Sequence, residues 1–299
     1  MFFQPGQATD RLYAYVRDDV NQTECGKMRE FCEELWAEYR PYADRHFLSD
    51  ATNHFHQRFW EMYLAVTLTR KGFELCKVGD EGPEFYFISG DKKIWVEAVA
   101  PGPGQGPDAV TEPPVGVGYL VPEEQMILRY TNGLSEKLKA YEAALRKGTI
   151  GAADCFIVAI NGQDITNGIC CDIEDGVPLW MQAFLPYGEY AVKFDIKKKE
   201  IIGGFYKYRD SISKKSKSPV STKPFLEEEY KGISGILHSA VGCHPLNRPK
   251  EIGADFEFLH NPLASQPIER SVFSFCRQYL FSPQQGELQT IERNKASSS

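Results

Sequence analysis

Apolar positions along this chain follow two periods, and the switches between them mark its elements. From Thr23 to Tyr39, residues Met28, Phe31, Cys32, Leu35 and Tyr39 recur at helical spacing behind Thr23, which can cap the segment. Residues 55–71 are apolar on nearly every side, with Phe59, Met62, Tyr63 and Val66 in one stripe and Trp60, Leu64 and Leu68 in another; this predicts a buried helix closed by Gly72. Residues 73–76 predict a short strand. Residues 122–148 predict the longest helix, begun at Pro122, ended at Gly148, and striped by Ile127, Thr131, Leu134, Leu138, Tyr141 and Leu145. The run Cys155–Asn161 is apolar throughout, as a strand buried on both faces would be. A short helix is expected near 179–184. Strands are expected at 190–195, 201–208, 235–241 and 256–259.

Between the second and third of these helices lies GPEFYFISGDKKIWVEAVA, residues 82–100. Two β-rich runs flank Gly90-Asp91, a pair suited to a two-residue type II′ turn. In that register opposed residues have numbers summing to 181, and Glu84 faces Glu97. Opposed carboxylates repel, so a counter-charge is expected there, for which a divalent cation is the usual choice. Two solvated glutamates on an exposed hairpin are the alternative. Glu61 lies among Trp60, Leu64 and Leu68, and a buried carboxylate needs a partner. That partner is either Arg58, three residues back, or a metal or its water.

The strand from Ile94, the long helix and the strand at Cys155–Asn161 form a parallel crossover beside a hairpin. The expected fold class is α/β, a mixed central sheet with helices on both faces. Helix, hairpin and crossover together resemble the core of the PD-(D/E)XK nuclease superfamily over roughly residues 54–160. Pro83-Glu84 stands for the PD, and Glu97-Ala98-Val99 for the (D/E)-X-K, with Val99 at the lysine position. The resemblance implies a restriction-endonuclease-like core, a Mg²⁺ (or Mn²⁺) ion held by Glu84 and Glu97, and Glu61 as a further ligand or water-orienting group. In that superfamily the lysine can move to the following helix. Lys137, about 60° from the centre of that helix's stripe, is the candidate, able to bury its stem and return its ammonium over the sheet. Its alternative is a surface lysine paired with Glu136 or Glu142. Gln125 is a second candidate polar contact.

Composition changes this picture in three ways. The chain has 299 residues, 42% hydrophobic, with no run apolar enough to span a bilayer and no basic and apolar signal region at Met1-Phe2-Phe3-Gln4-Pro5. Eight scattered cysteines, including adjacent Cys170-Cys171, form no C-x-x-C and fit a reducing cytoplasm. A net charge of −7 argues against indiscriminate coating of nucleic acid. Yet residues 193–223 hold ten Lys or Arg against three acids, a local +7 interleaved with Tyr206, Tyr208 and hydroxyl residues. Lys197, Lys198, Lys199, Lys214, Lys215 and Lys217 suit phosphate contacts; a solubilising loop is the alternative. The Gly- and Pro-rich residues 101–122 leave the end of the acidic strand and suit a lid or substrate-contact loop.

The expected organisation is a helical extension at 1–53, the α/β domain at 54–282 and a flexible polar tail at 283–299. The expected activity is metal-dependent phosphodiester hydrolysis, with DNA favoured over RNA. The alternatives are an inactive nuclease-fold module that binds nucleic acid, or one that binds a partner protein. No membrane partner is expected, and a homodimer is left open.

Overall fold

The computed structural model describes residues 1–77, 82–112, 114, 116–166 and 176–293. Cys170-Cys171 and the last six positions of the tail lie outside the described residues. The helices are α1 (Arg11–Asp18), α2 (Thr23–Tyr39), α3 (Phe47–Ala51), α4 (Phe55–Arg70), α5 (Glu123–Lys147) and α6 (Gln163–Thr166). The strands are β1 (Cys76–Lys77), β2 (Phe85–Ser89), β3 (Lys92–Val99), β4 (Cys155–Asn161), β5 (Tyr187–Asp195), β6 (Glu200–Tyr208), β7 (Ser211–Ser213), β8 (Pro219–Ser221), β9 (Gly235–Ser239), β10 (Glu257–His260), β11 (Arg277–Ser282) and β12 (Glu287–Ile291). Eight of them form one mixed sheet in the order β1-β2-β3-β4-β9-β10-β11-β12, while β5-β6 and β7-β8 are separate hairpins. β3, β4 and β9 run parallel to one another.

Alternation along β3 divides the interior in two. Ile94, Val96 and Ala98 join the core shared with α1 to α4, whereas Trp95 and Val99 join the core under α5. α4 is buried nearly all round because it lies between α2 and β3, and its Trp60 donates Nε1–H to the Ala159 carbonyl at 3.1 Å. The N-terminal residues Phe2, Tyr13 and Val16 pack into this same core, so residues 1–53 share their packing with α4. α5 ends as its sequence indicates: Gly148 sits at φ 74°, a left-handed position open to glycine, and its N–H reaches the Ala144 and Leu145 carbonyls.

The expected hairpin register holds, with Phe85 opposite Val96 and Ser89 opposite Lys92. Gly90 has φ 63°, as the first central residue of a type II′ turn requires. Two expectations change. The first strand is Cys76–Lys77, not 73–76, because the Phe73 N–H is taken by the Leu68 carbonyl in the cap of α4 and the Phe73 ring packs on Phe87. The tail from 283 is not wholly loose: β12 pairs antiparallel with β11 over five residues, and Leu288 packs against the α5-side core. Its polar sequence hid an edge strand with one wet face. Among the described residues no helix is long and apolar enough to cross a membrane.

Candidate active site: an acidic cluster at the open edge of β3

The β2 ladder ends at Phe85–Val96, so among the described residues the last positions of β3 have no strand partner on that side. Gln57 of α4 fills the gap. Its Oε1 accepts the Ala100 N–H at 2.7 Å, and its Nε2 lies 3.4 Å from the Ala98 carbonyl and donates to Glu61 Oε1 at 2.8 Å. Arg58 Nη1 donates to the other Glu61 oxygen at 2.7 Å, while Nη2 holds Asp50 at 2.7 Å. The Glu61 side chain is 3% exposed, and burial raises its pKa; the bonds from Arg58 and Gln57 oppose that rise without cancelling it.

Glu97 follows the parity of Trp95 and Val99 and turns towards α5. There Lys137 Nζ donates to Glu97 Oε1 at 2.6 Å. Lys137 pairs with neither Glu136 nor Glu142; the latter lies near Arg146. Burial alone would lower the Lys137 ammonium, but Glu97, with Glu84 and Glu61 behind it, outweighs burial and raises its pKa.

Glu84 stands one residue before β2, is half-buried, and feels the charges of both groups. No hydrogen bond to its carboxyl is found among the described residues. Its pKa is pushed well above the carboxylate range by burial first, then by Glu61 and Glu97, against relief from Lys137 and Arg58. The same two acids, Glu61 and Glu84, also raise the pKa of buried Tyr39 of α2, after burial itself. A cavity of about 280 Å³ borders Glu97, lined by Gly82, Pro83, Ala140, Ala144 and Phe156 among others. The small side chains of α5 leave this space.

A second half-buried carboxylate shows what a satisfied one looks like. Glu257 accepts from Tyr279 at 2.6 Å and Trp180 at 3.1 Å and lies 3.8 Å from His238. Burial would raise its pKa, yet these partners prevail and lower it. Glu84 is raised by burial and by two neighbouring carboxylates, with no hydrogen bond among the described residues to offset them, whereas the donors around Glu257 outweigh its burial. A carboxylate so perturbed is a candidate functional group.

The donor set suits a hard divalent cation, since carboxylate oxygens and water are the ligands such ions prefer. Among the described residues no three His, Cys, Asp or Glu side chains converge as a preformed ligand group. Glu84 and Glu97, with Glu61 near them, are the carboxylates that could hold such an ion.

Of the residues singled out from sequence, Glu61, Glu84, Glu97 and Lys137 lie together. Gln125 is half-buried at the start of α5 and makes no hydrogen bond to the cluster among the described residues. Lys197, Lys198 and Lys199 are exposed at the β5–β6 turn, and Lys215 and Lys217 are exposed at the β7–β8 turn beside half-buried Lys214. Sequence reasoning missed Gln57 and Tyr39. Gln57 was detectable only as a polar residue four before Glu61 on the same helix. The loop at 101–122 is tied down by Arg129, whose Nε donates to the Gly102 carbonyl at 2.8 Å, and by Asp108, which accepts the Lys215 N–H at 2.8 Å. No family model matches the chain, and neither a curated protein nor a solved structure matches it.

Proposed function

We propose that this chain is a divalent-metal-dependent nuclease acting at the cluster of Glu61, Glu84, Glu97 and Lys137, with DNA as the leading substrate. The observation that carries this reading is the half-buried Glu84 carboxyl, which accepts no hydrogen bond among the described residues and feels the charges of Glu61, Glu97 and the Lys137 ammonium that Glu97 holds. It is an arrangement that a cation would relieve. The likeness to the PD-(D/E)XK core supports it, with Lys137 in the place that Val99 cannot fill.

In this reading Glu84 and Glu97 would hold a Mg²⁺ or Mn²⁺ ion, which when bound would supply an activated water and neutralise charge on the phosphate. Lys137, kept protonated by the acids around it, is placed to stabilise negative charge developing on a phosphate oxygen. Gln57 and Arg58 fix the two oxygens of Glu61, and Gln57 also fixes the β3 backbone, so the acids stay in register with one another. The loop at 101–122 leaves the end of β3 and is placed to contact substrate.

Purified protein with Mg²⁺ or Mn²⁺ should cleave single- or double-stranded DNA more readily than RNA. Lys137→Ala should lower the cleavage rate by about 10²–10³-fold, the scale for losing a preorganised transition-state contact, with metal affinity near wild type. Lys139→Ala, on the exposed face of α5, should change the rate little. An active Lys137→Ala protein refutes the assignment. A second reading, a decayed core that binds nucleic acid without cutting it, is favoured by the protein donors already on both Glu61 oxygens. Metal titration separates the two, since a decayed site need not bind Mg²⁺.

A further inference from the structure

The β5–β6 hairpin stands away from both cores. Its base is anchored where Tyr187 meets Phe281 of β11, with ring centroids 5.8 Å apart, and where the Tyr206 hydroxyl accepts the Val177 N–H at 2.7 Å. Beyond that base both strands are exposed. Tyr190, Val192 and Phe194 alternate along β5 and are 47%, 58% and 55% exposed; Tyr206, Gly204 and Ile201 oppose them, the register shifting by one between Lys193 and Phe194.

The rings on this ribbon are held, not loose. A Cβ at Gly204 would fall 2.1 Å from the Tyr190 hydroxyl, so the Tyr190 ring lies directly over the glycine. The Tyr206 ring meets Tyr190 edge-on at 5.1 Å. On the opposite face Lys193 sits 5.4 Å over the Phe205 ring. Phe194 lies four residues from Tyr190, about 13 Å along the strand, far enough for the two rings to take different bases. Lys197, Lys198 and Lys199 crown the turn beyond them. Lys198 lies 3.7 Å from Glu200, and among the described residues the ammonium groups of Lys197 and Lys199 make no salt bridge.

We infer that this arm is a binding site for single-stranded nucleic acid, whose bases stack on Tyr190 and Phe194 and whose phosphates meet Lys197 to Lys199. Three features select this occupant. Residues 187–208, the arm itself, hold five basic against three acidic residues, a net +2 in a chain of −7, so a polyanion is drawn to its turn. Exposed aromatic rings leading to a lysine-rich turn form the stacking platform and charged track that single strands use. The bases of a duplex are already stacked on each other and offer such rings no free face. The inference rests on the nuclease reading for its purpose and deepens it: the substrate would present a single-stranded segment. The arm packs on β11, four strands from β3, so such a segment would run about 19 Å across the sheet to reach Glu97.

The test measures binding of a labelled oligothymidylate, and of a duplex of equal length, to the full chain in EDTA, where no metal-dependent cleavage occurs. The single strand should bind more tightly than the duplex. Phe194→Leu keeps the apolar bulk and removes the ring, and should weaken single-strand binding about tenfold. Phe194→Trp should retain it. Replacing Lys197, Lys198 and Lys199 by Ala should lower the salt slope by about 2. Ile196→Ser, at the turn, should be silent. Equal binding by wild type and Phe194→Leu overturns the inference. So does an Ile196→Ser protein that loses self-association or binding to anionic phospholipid vesicles, because the exposed face would then serve a second copy or a membrane. Binding as expected without any cleavage under Mg²⁺ would leave the arm standing and remove the nuclease reading. Cleavage with unaltered binding in the arm variants would do the reverse.

Discussion

Glu84 is the residue at which stability and chemistry are opposed. Its folded-state pKa is raised, so the folded chain binds its proton more tightly than the unfolded chain does. The group therefore destabilises the fold above its unfolded pKa, near 4.3, and the penalty is relieved as pH falls through the raised folded value. Glu84→Gln should raise Tm at pH 7, by about 2 °C for each kcal/mol recovered, and flatten the pH dependence over the window just above the ordinary carboxylate range. It should also abolish cleavage. Saturating Mg²⁺ should raise the Tm of wild type, by linkage to the folded state, and leave that of Glu84→Gln nearly fixed. Scanning calorimetry across pH, with and without Mg²⁺, checks both outcomes. Glu257 has the opposite sign: its folded pKa is lowered, so its contribution is present at neutral pH and is lost as pH falls through that lowered value. The share of a stability gain on mild acidification that Glu84→Gln removes thus reports Glu84, while raised Glu61, Asp164 and Asp255 keep the remainder.

At the scale of elements, the hairpin register brings Glu84 to Glu97, and one turn residue sets that register. Gly90 has φ 63° and open space where a Cβ would go. Gly90→Ala should therefore act through backbone strain alone and cost about 1–2 kcal/mol. Gly235 of β9 differs: an added Cβ would meet the Phe258 ring at 2.5 Å and the Leu259 carbonyl oxygen at 2.7 Å. Because a neighbouring strand's backbone cannot yield cheaply, Gly235→Ala should cost more than Gly90→Ala, towards or above the 1–3 kcal/mol typical of overpacking. Urea unfolding with unchanged m-values checks the order of the two.

At the scale of the whole molecule, the sheet has to close its far edge. β12 covers β11, with Leu288 paired to Phe281 and packed on the α5-side core. A chain cut after Ser282 would expose an apolar strand edge, which is a template for pairing with another chain. Such a truncation should lower Tm and increase light scattering on heating, and a full-length thermal stability would refute the role given to β12. The charge distribution belongs to this scale too. An acidic body bearing a basic arm orients a polyanion before any specific contact forms, so association should slow as salt rises.

Much of this protein was legible in local pattern. Helical periodicity gave α2, α4 and α5 within a residue or so of their ends, because each buries a wide face and stops at a residue that cannot continue the helix. Gly90-Asp91 set the hairpin register from two adjacent residues. The edge position of Lys137 on its stripe placed its ammonium within reach of Glu97. Other features needed tertiary structure. α1 and β12 are short, with few apolar positions to show a period, and both are stabilised by surfaces distant in sequence. Gln57 is a polar residue on a helix until the β2 ladder stops short and leaves the β3 backbone open to it. The donors on Glu61 and the lack of them on Glu84 depend on which groups the fold brings close, 23 positions apart in the chain. Sequence determined the elements and the identity of the charges, because those follow from neighbours along the chain. Only the packed structure decided which charge was paired, since burial and pairing arise between elements.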